Sequence, residues 1–337
     1  MNRIVLSTTL ALAAATPLAV RGQDSSDNLN RFSFGPTIGF NFKVEFYNSS
    51  PSLFNVNPGP PTGDANHNYD DGYVRVDSSG DAGGLTQNWG YQNASQYNAA
   101  GLGTMQFHAI EPGGSSSATS NPQYGGELIY QRVIGSLPLI SSGDWGLETG
   151  FGFTDLDIRD NLGGTAPVIS DTYQLNGVIP PGPGYQGTFN GPGPLLGDTP
   201  ARSIGSASIS GYQKLSGQMF TFRLGPFAEW NITSELSLAA SVGVTLAPTT
   251  LDYDFSESYA IAGGGVYGDW GHSCRTALLY GPYAGAMLRY DLNRCWGVYV
   301  GARFQNLNDM NLSNGGSSAR LDPGVTLYAT AGLTWQF

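Results

Sequence analysis

Residues 325–337 read VTLYATAGLTWQF, and an apolar side chain stands at every second position of this stretch. The apolar positions are Val325, Leu327, Ala329, Ala331, Leu333, Trp335 and Phe337. Successive side chains of a β-strand point to opposite sides, so a period of two places all of these on one face. The stretch therefore predicts a strand with one apolar and one polar face.

Seven earlier segments show the same alternation, which predicts eight strands in all. They cover residues 32–46, 127–134, 145–153, 220–230, 236–246, 278–290 and 296–304. The segment 127–134 is convincing as a strand, but its two faces are ambiguous. Two weaker segments, 73–77 and 104–110, would either lengthen the wall of a sheet or raise the number of strands to ten.

The connections between these strands alternate in length. Residues 48–124, 161–216, 256–274 and 308–323 form long connections rich in turn-favouring residues, whereas 138–143, 232–235 and 292–294 form short ones. An even number of strands with short turns at one end and long loops at the other is typical of outer-membrane barrels. The predicted fold is all-β: a closed antiparallel transmembrane β-barrel with long extracellular loops.

The composition agrees with a membrane environment. Only 12% of the 337 residues are charged, about half the usual share in soluble proteins. Residues 1–22 combine Arg3 with an apolar run and predict a signal peptide, which leaves one domain over 23–337. No later apolar stretch reaches the roughly 18–20 residues that a membrane helix needs. The net charge of −11 argues against nucleic acid as a partner.

Four tryptophans stand on the apolar faces of their strands, each at the end next to a short turn or the chain end. They are Trp145, Trp230, Trp296 and Trp335, whereas Trp89 and Trp270 fall in loops. This placement predicts an aromatic girdle where a barrel wall meets the lipid headgroups. The alternative is a soluble barrel with its apolar face inward, which would carry more Lys and Glu on its polar faces.

With its signal segment, eight alternating strands and terminal Leu333-Thr334-Trp335-Gln336-Phe337, the chain resembles the small outer-membrane β-barrel proteins, the class that includes the OmpA and OmpX barrels. The resemblance covers residues 31–337 and implies the outer membrane of a Gram-negative-type envelope. In that family a C-terminal aromatic residue is part of the signal read by the barrel-assembly machinery. The resemblance thus implies this role for Phe337, with that machinery and outer-membrane lipid as partners.

The polar strand faces carry charged residues that a barrel would place inside. They are Lys43, Glu45, Glu148, Arg223, Glu229, Arg289 and Arg303. An eight-stranded barrel is only wide enough for side chains to fill, and unpaired charges there are costly. The near balance of signs predicts a packed network of ion pairs. The alternative, a narrow porin-like channel for small solutes, would more often show a ring of one sign.

The long loops hold twelve acidic residues against four basic ones, which predicts an acidic outer face. The acids are Asp64, Asp70, Asp71, Asp77, Asp81, Glu111, Asp171, Asp198, Glu257, Asp269, Asp309 and Asp322. Among them Asp70, Asp71, Asp77 and Asp81 are a weak calcium candidate, since their spacing departs from an EF-hand loop and solvated turns explain them equally well. We otherwise predict no metal and no cofactor.

The remaining chemistry-bearing residues leave the function open. His67, His108 and His272 fall in loops near serines, so a lipid-modifying barrel enzyme is an alternative, although no catalytic geometry is fixed. Cys274 and Cys295 would lie at opposite ends of one strand, too far apart for a disulfide. The first hypothesis is a non-enzymatic closed barrel with a structural or surface-recognition role, whose loops bind an extracellular ligand that the sequence does not name.

Overall fold

The computed structural model describes residues 29–48, 56–77, 83–111, 115–119, 122–137, 143–189, 191–261 and 265–337. The predicted signal segment lies outside these residues. Within them the chain forms nineteen strands and one short 3-10 turn, Ala94–Gln96, so the all-β prediction is confirmed. No helix in this part of the chain is both long and apolar enough to cross a membrane.

Numbered in chain order, the strands are β1 (Asn30–Phe40), β2 (Lys43–Asn48), β3 (His67–Tyr69), β4 (Gly72–Val74), β5 (Leu85–Thr86), β6 (Trp89–Tyr91), β7 (Tyr97–Asn98), β8 (Thr104–Ile110), β9 (Ser115–Thr119), β10 (Gln123–Ser136), β11 (Gly143–Gln174), β12 (Leu196–Gly197), β13 (Ala201–Asn231), β14 (Leu236–Ile261), β15 (Val266–Asp291), β16 (Trp296–Asn306), β17 (Met310–Asn314), β18 (Ser317–Asp322) and β19 (Val325–Gln336).

Eight of these strands form an antiparallel ring in which every strand pairs with two neighbours. The order around the ring is β10, β1, β19, β16, β15, β14, β13 and β11, and β11 pairs back with β10. Each of the eight predicted segments contributes to one of these strands. At the end that carries the short turns, Asn30 and Phe337 exchange backbone hydrogen bonds of 3.3 and 3.0 Å, which join the first ring strand to the last.

Four ring strands continue far beyond the predicted segments. β11 has 32 residues, β13 has 31, and β14 and β15 have 26 each, whereas about 9–11 residues suffice to cross a membrane. The loops predicted over 161–216 and 256–274 are therefore wrong in large part. Most of these residues extend the wall, held by backbone pairing such as that of Asp160 with Gln213.

The predicted strand 32–46 is broken at Asn41. This residue has a φ of 65°, a left-handed conformation that asparagine adopts more readily than most residues. Its side-chain amide donates to the backbone carbonyl of Val325 over 2.7 Å. The chain turns here, so β2 leaves the ring and pairs with β18 and β9 in a separate sheet that also contains β17.

This four-stranded sheet packs against inward-facing residues of the ring and forms an apolar cluster, which we call the inner plug. The sheet and the residues next to it contribute Phe42, Val44, Phe46, Met310, Leu312, Ala319 and Leu321, and the ring contributes Leu156, Ile158, Leu215, Met219, Ala247, Leu251, Tyr253, Phe255, Leu279 and Tyr328. Phe46 stacks on Tyr253 with ring centroids 6.0 Å apart, and Phe42 meets Tyr328 edge-on at 6.0 Å. Apolar side chains of the sheet and of the ring are thus buried against one another at this level.

The first two long connections pack together as an ordered head, which comprises the described residues of 56–111 and 173–200. Its apolar core includes Tyr69, Val74, Trp89, Tyr91, Met105, Phe107, Tyr173, Leu175 and Leu196. β8, which covers the weaker segment 104–110, pairs with the far end of β11 and so ties the head to the wall. The indole N–H of Trp89 donates to the carbonyl of Pro194 over 2.8 Å, so the Pro-Gly-rich second connection is held against the first.

Candidate functional site

The outer face of the ring carries a continuous series of exposed apolar side chains, which we call the outer apolar band. It includes at least one residue of every ring strand: Phe34, Leu128, Leu147, Leu224, Val244, Leu278, Val300 and Leu333. Leu224 and Val300 are each 55% exposed. Soluble proteins rarely expose apolar patches larger than a few hundred Å². Inward neighbours of the band include the buried Glu127, Glu148 and Arg223, whereas a soluble barrel would turn its charged face to the outside.

The structure places the four predicted girdle tryptophans at one end of the ring. Trp296 and Trp335 occupy paired positions on neighbouring strands, and their rings lie 6.5 Å apart. Trp145 of β11 pairs with Ala228 of β13, which is two residues from Trp230. Trp145, Trp296 and Trp335 are exposed, whereas Trp230 is half-buried. Phe337 stacks on Trp335 at 4.6 Å and completes this aromatic rim.

A buried ion cluster lies in the interior at the same end. The carboxylate of Glu229 accepts hydrogen bonds from both Arg31 and Arg289. Arg289 also donates through Nε to Asp291 over 3.1 Å, and Gln336 donates to the same Asp291 oxygen over 2.6 Å. Glu229 and Arg289 were predicted to lie in the interior; Arg31 was not, because it stands just ahead of the alternating segment.

A second ion cluster lies farther along the interior. Glu127 accepts hydrogen bonds from Arg223 over 3.0 Å and from Arg303 over 2.6 Å. Its neighbour Glu148 accepts from Gln131 over 2.8 Å and from the Tyr283 hydroxyl over 3.3 Å. The structure therefore brings together the predicted Glu148, Arg223 and Arg303 and adds Glu127, whose strand had ambiguous faces in the sequence.

Lys43 and Glu45 do not join either cluster. They lie on β2, beyond the turn at Asn41, and pair with each other over 2.6 Å. Their side chains are 49% and 22% exposed. The prediction that these two residues face the interior of the ring is wrong, because the strand that carries them has left the ring.

A small cavity lies in the interior beside the second ion cluster. A cavity of about 30 Å³ lies among Glu127, Gln131, Glu148, Arg223 and Arg303, which is room for about one water molecule. Arg303 also packs over the ring of Tyr328 at 4.4 Å, and Tyr328 belongs to the inner plug. Charged pairs and the apolar plug thus follow one another along the axis of the ring.

Many acidic residues predicted for the outer face are internal. Six of the twelve are buried, namely Asp70, Asp71, Asp77, Asp171, Asp198 and Glu257. Asp171 accepts a hydrogen bond from Tyr69 over 2.6 Å and two from Arg202 over 2.8 and 2.6 Å. The five buried aspartates lie in the head or contact it, whereas Glu257 accepts from Gln213 over 2.9 Å and from Tyr259 over 2.8 Å within the wall. Because all six are buried, they add little negative charge to the surface.

The weak calcium candidates have separate protein partners. Asp71 accepts from His108 over 2.7 Å and from Tyr267 over 3.0 Å, and Asp77 accepts from Thr86 over 3.0 Å. Burial raises the pKa of Asp70 to about 7, against the lowering effect of a 2.7 Å hydrogen bond from the Ile110 amide. Asp81 lies outside the described residues. The described carboxylates are thus committed to protein donors or partly protonated near neutral pH.

The three histidines occupy different surroundings. The His67 ring lies 2.5 and 3.0 Å from the carbonyls of Pro58 and Thr62, and His108 is bound to Asp71; both residues are buried in the head. His272 stands exposed on β15, where Nδ1 lies 2.7 Å from Asp254. A substrate could therefore reach only the third ring in this conformation.

Cys274 and Cys295 are both free and exposed. Cys274 lies in the extended part of β15, and Cys295 lies in the short turn beside the aromatic rim. The intervening strand, at about 3.3 Å per residue, separates the two thiols by on the order of 50 Å.

No family model matches the chain, and no curated protein matches it. Solved structures similar to it include outer-membrane β-barrel proteins. The outer membrane protein OprG from Pseudomonas aeruginosa is 10% identical, with 92% of this chain and 97% of that one covered and a TM-score of 0.30. The outer membrane protease OmpT from Escherichia coli is 12% identical, with 92% and 97% covered and a TM-score of 0.32. Ail, the attachment invasion locus protein of Yersinia pestis, is 8% identical, with 91% and 99% covered and a TM-score of 0.25.

Proposed function

We propose that this chain is an integral outer-membrane protein and that its ring of eight strands is a closed transmembrane barrel. The outer apolar band carries this proposal, because exposed apolar side chains occur on all eight ring strands while buried ion pairs lie in the interior. The aromatic rim with the short turns faces the periplasm. The extended wall and the head then project outside the cell.

The lumen is sealed in this proposal, and the protein acts through its head. The buried ion pairs and the inner plug support a sealed lumen, and a sealed lumen supports a structural or surface-recognition role without a cofactor. Exposed apolar side chains on the head, Leu102 at 65%, Ile179 at 81% and Phe189 at 53%, offer contact area to an extracellular ligand. Recognition would then use a preorganised surface.

Phe337 has a role in barrel assembly in this proposal. Its ring stacks on Trp335 and lies 5.8 Å from the ring of Phe32, while its backbone completes the pairing of β19 with β1. The proposal gives this residue two tasks, recognition by the barrel-assembly machinery and closure of the ring at the lipid interface. Once the barrel is inserted, outer-membrane lipid contacts its outer apolar band.

The two native thiols provide the test of this orientation. In the C295S variant, a bulky maleimide that porins exclude is expected to label Cys274 on intact cells. In C274S, the same reagent should reach Cys295 only after the outer membrane is permeabilised. Because both thiols are exposed, access depends on the side of the membrane. Labelling of Cys295 on intact cells, or protection of Cys274, would contradict the proposed topology.

A further inference from the structure

Four side chains with metal-binding chemistry occupy neighbouring positions on one outer face of the extended wall. In the β14–β15 ladder Asp252 stands opposite Cys274 and Asp254 stands opposite His272. Residues two apart on a strand, and residues opposite each other across a ladder, share one face. The residues between them, Tyr253 and Phe255, point inward into the inner plug. These four side chains therefore face the medium together.

The imidazole of His272 lies between two carboxylates. Its Nδ1 is 2.7 Å from an oxygen of Asp254, a hydrogen bond in which the ring donates. Its Nε2 is 3.8 Å from an oxygen of Asp252, which is too long for a hydrogen bond. Two ligands of one tetrahedral zinc ion lie about 3.4 Å apart, given Zn–N and Zn–O bonds of about 2.1 Å. The gap between Nε2 and Asp252 is thus close to the gap that a shared zinc ion requires.

Asp254 is placed to orient the His272 ring, as carboxylates commonly do for histidines that bind zinc. A zinc-bound imidazole usually donates its other N–H to a carboxylate, which fixes the tautomer and directs the free lone pair to the metal. The bond from Nδ1 to Asp254 leaves the lone pair on Nε2, the nitrogen that faces Asp252. This arrangement exists before any metal binds.

The thiol of Cys274 completes the group. It stands opposite Asp252 in the ladder and donates a hydrogen bond to that carboxylate, so the thiol and the carboxylate already lie side by side. The nearest cation on the neighbouring strand, Lys214, pairs with Asp254 in register, but its ammonium is 3.1 Å from Asp157. Among the described residues no three such side chains are already arranged around one metal position, so binding here requires these exposed side chains to rotate.

We propose that Asp252, His272 and Cys274 bind one zinc ion on the outer wall, with Asp254 as the carboxylate that orients His272. The ligands are one carboxylate oxygen, Nε2 and the thiolate, and water takes the fourth position. Binding displaces the thiol proton, which passes to solvent, so one proton is released per ion near neutral pH. The proposal depends on the ladder geometry and not on the membrane placement of the ring.

The test is a titration of the purified, folded full chain with Co²⁺, followed by displacement with Zn²⁺. We expect one equivalent of Co²⁺ to produce a thiolate-to-metal charge-transfer band, and one equivalent of Zn²⁺ to remove it. The band should be lost in C274S and H272A and should be unchanged in the matched control C295S. D254N should weaken binding by about 10–100-fold while it keeps the band, as expected for loss of an orienting carboxylate.

A second readout uses the native thiols without substitution. Zinc should protect Cys274 from alkylation and leave the alkylation rate of Cys295 unchanged. The proposal is overturned if the wild-type chain gives no thiolate band, if C274S keeps the band, or if zinc protects both thiols equally. Because all four side chains point outward from the wall, heat-modifiable migration in a gel can confirm that each variant is folded before it is titrated.

Discussion

Replacing Glu229 by alanine is expected to lower the free energy of unfolding by about 3–5 kcal/mol, the usual cost of removing one partner from a buried ion pair. Two guanidinium groups, those of Arg31 and Arg289, share this carboxylate. Arg289 keeps Asp291 as a second partner, whereas Arg31 is left inside the ring without its carboxylate partner. The measurement is the urea dependence of folding in lipid vesicles, followed by tryptophan fluorescence.

The matched control is Glu45→Ala. Glu45 also forms ion pairs, with Lys43 and Arg320, but these two partners are 49% and 41% exposed, and exposed ion pairs contribute little. We expect no measurable change in the urea midpoint for this variant. Equal losses in the two variants would show that Glu229 is not in a sealed interior. The isosteric Glu229→Gln should fall between wild type and Glu229→Ala, since it keeps hydrogen-bond acceptance and loses the charge.

The second large effect concerns the outer apolar band. Leu224 is 55% exposed near the centre of the band on β13, and its replacement by arginine should cost about 2–4 kcal/mol if that surface faces the middle of a bilayer. Ile204 lies on the same strand and is 78% exposed, but it stands in the extended wall beyond the band. Ile204→Arg is therefore expected to leave folding in vesicles unchanged.

These two variants distinguish a ring whose outer face contacts lipid from a ring whose outer face contacts water. In water, arginine at either exposed position would be tolerated, because a surface substitution usually changes stability by less than about 0.5 kcal/mol. A neutral Leu224→Arg would contradict the transmembrane placement of the band. A large loss of stability in Ile204→Arg would instead show that the position assigned to the membrane along β13 is wrong.

The sequence predicts the ring well where its two faces meet different media. Around Leu224, Arg223 faces inward and the leucine faces outward, so the period of two is plain. Farther along the same strand, around Ser206 and Ser208, neither face is consistently apolar, and the alternation disappears although the pairing with β11 and β14 continues. Where a strand extends into a polar medium, backbone hydrogen bonds hold it in the sheet. Such bonds do not depend on the side chains, so the residue types do not reveal the strand.

The sequence predicted that the interior holds ion pairs, but it identified only some of the residues that form them. Glu127 was missed because Ile129, two residues on, also faces inward and packs near Met287 and Tyr299, so both faces of that strand look apolar. Lys43 and Glu45 stand at alternate positions that would face inward if the first strand continued unbroken. The left-handed residue Asn41 turns the chain, so their strand is not part of the ring. Local backbone geometry of this kind cannot be read from hydrophobic periodicity.

The head was the part least accessible from sequence. Asp71 in the head and Asp171 beside it look like solvated loop residues in the sequence. Their partners, His108 and Arg202, lie 37 and 31 residues away along the chain and reach them only in the fold. The zinc ligands proposed on the wall were hidden for the same reason, since Asp252 and Cys274 meet only through the ladder of β14 with β15.

The most direct test of the sealed barrel is conductance of the full chain in planar bilayers, with insertion verified by heat-modifiable migration of protein recovered from the same lipid. The ion clusters around Glu127 and Glu229, together with the inner plug, predict a membrane that holds inserted protein and shows no stable channels. Reproducible stepwise conductance from the inserted chain would contradict the sealed lumen and restore the narrow channel as its function.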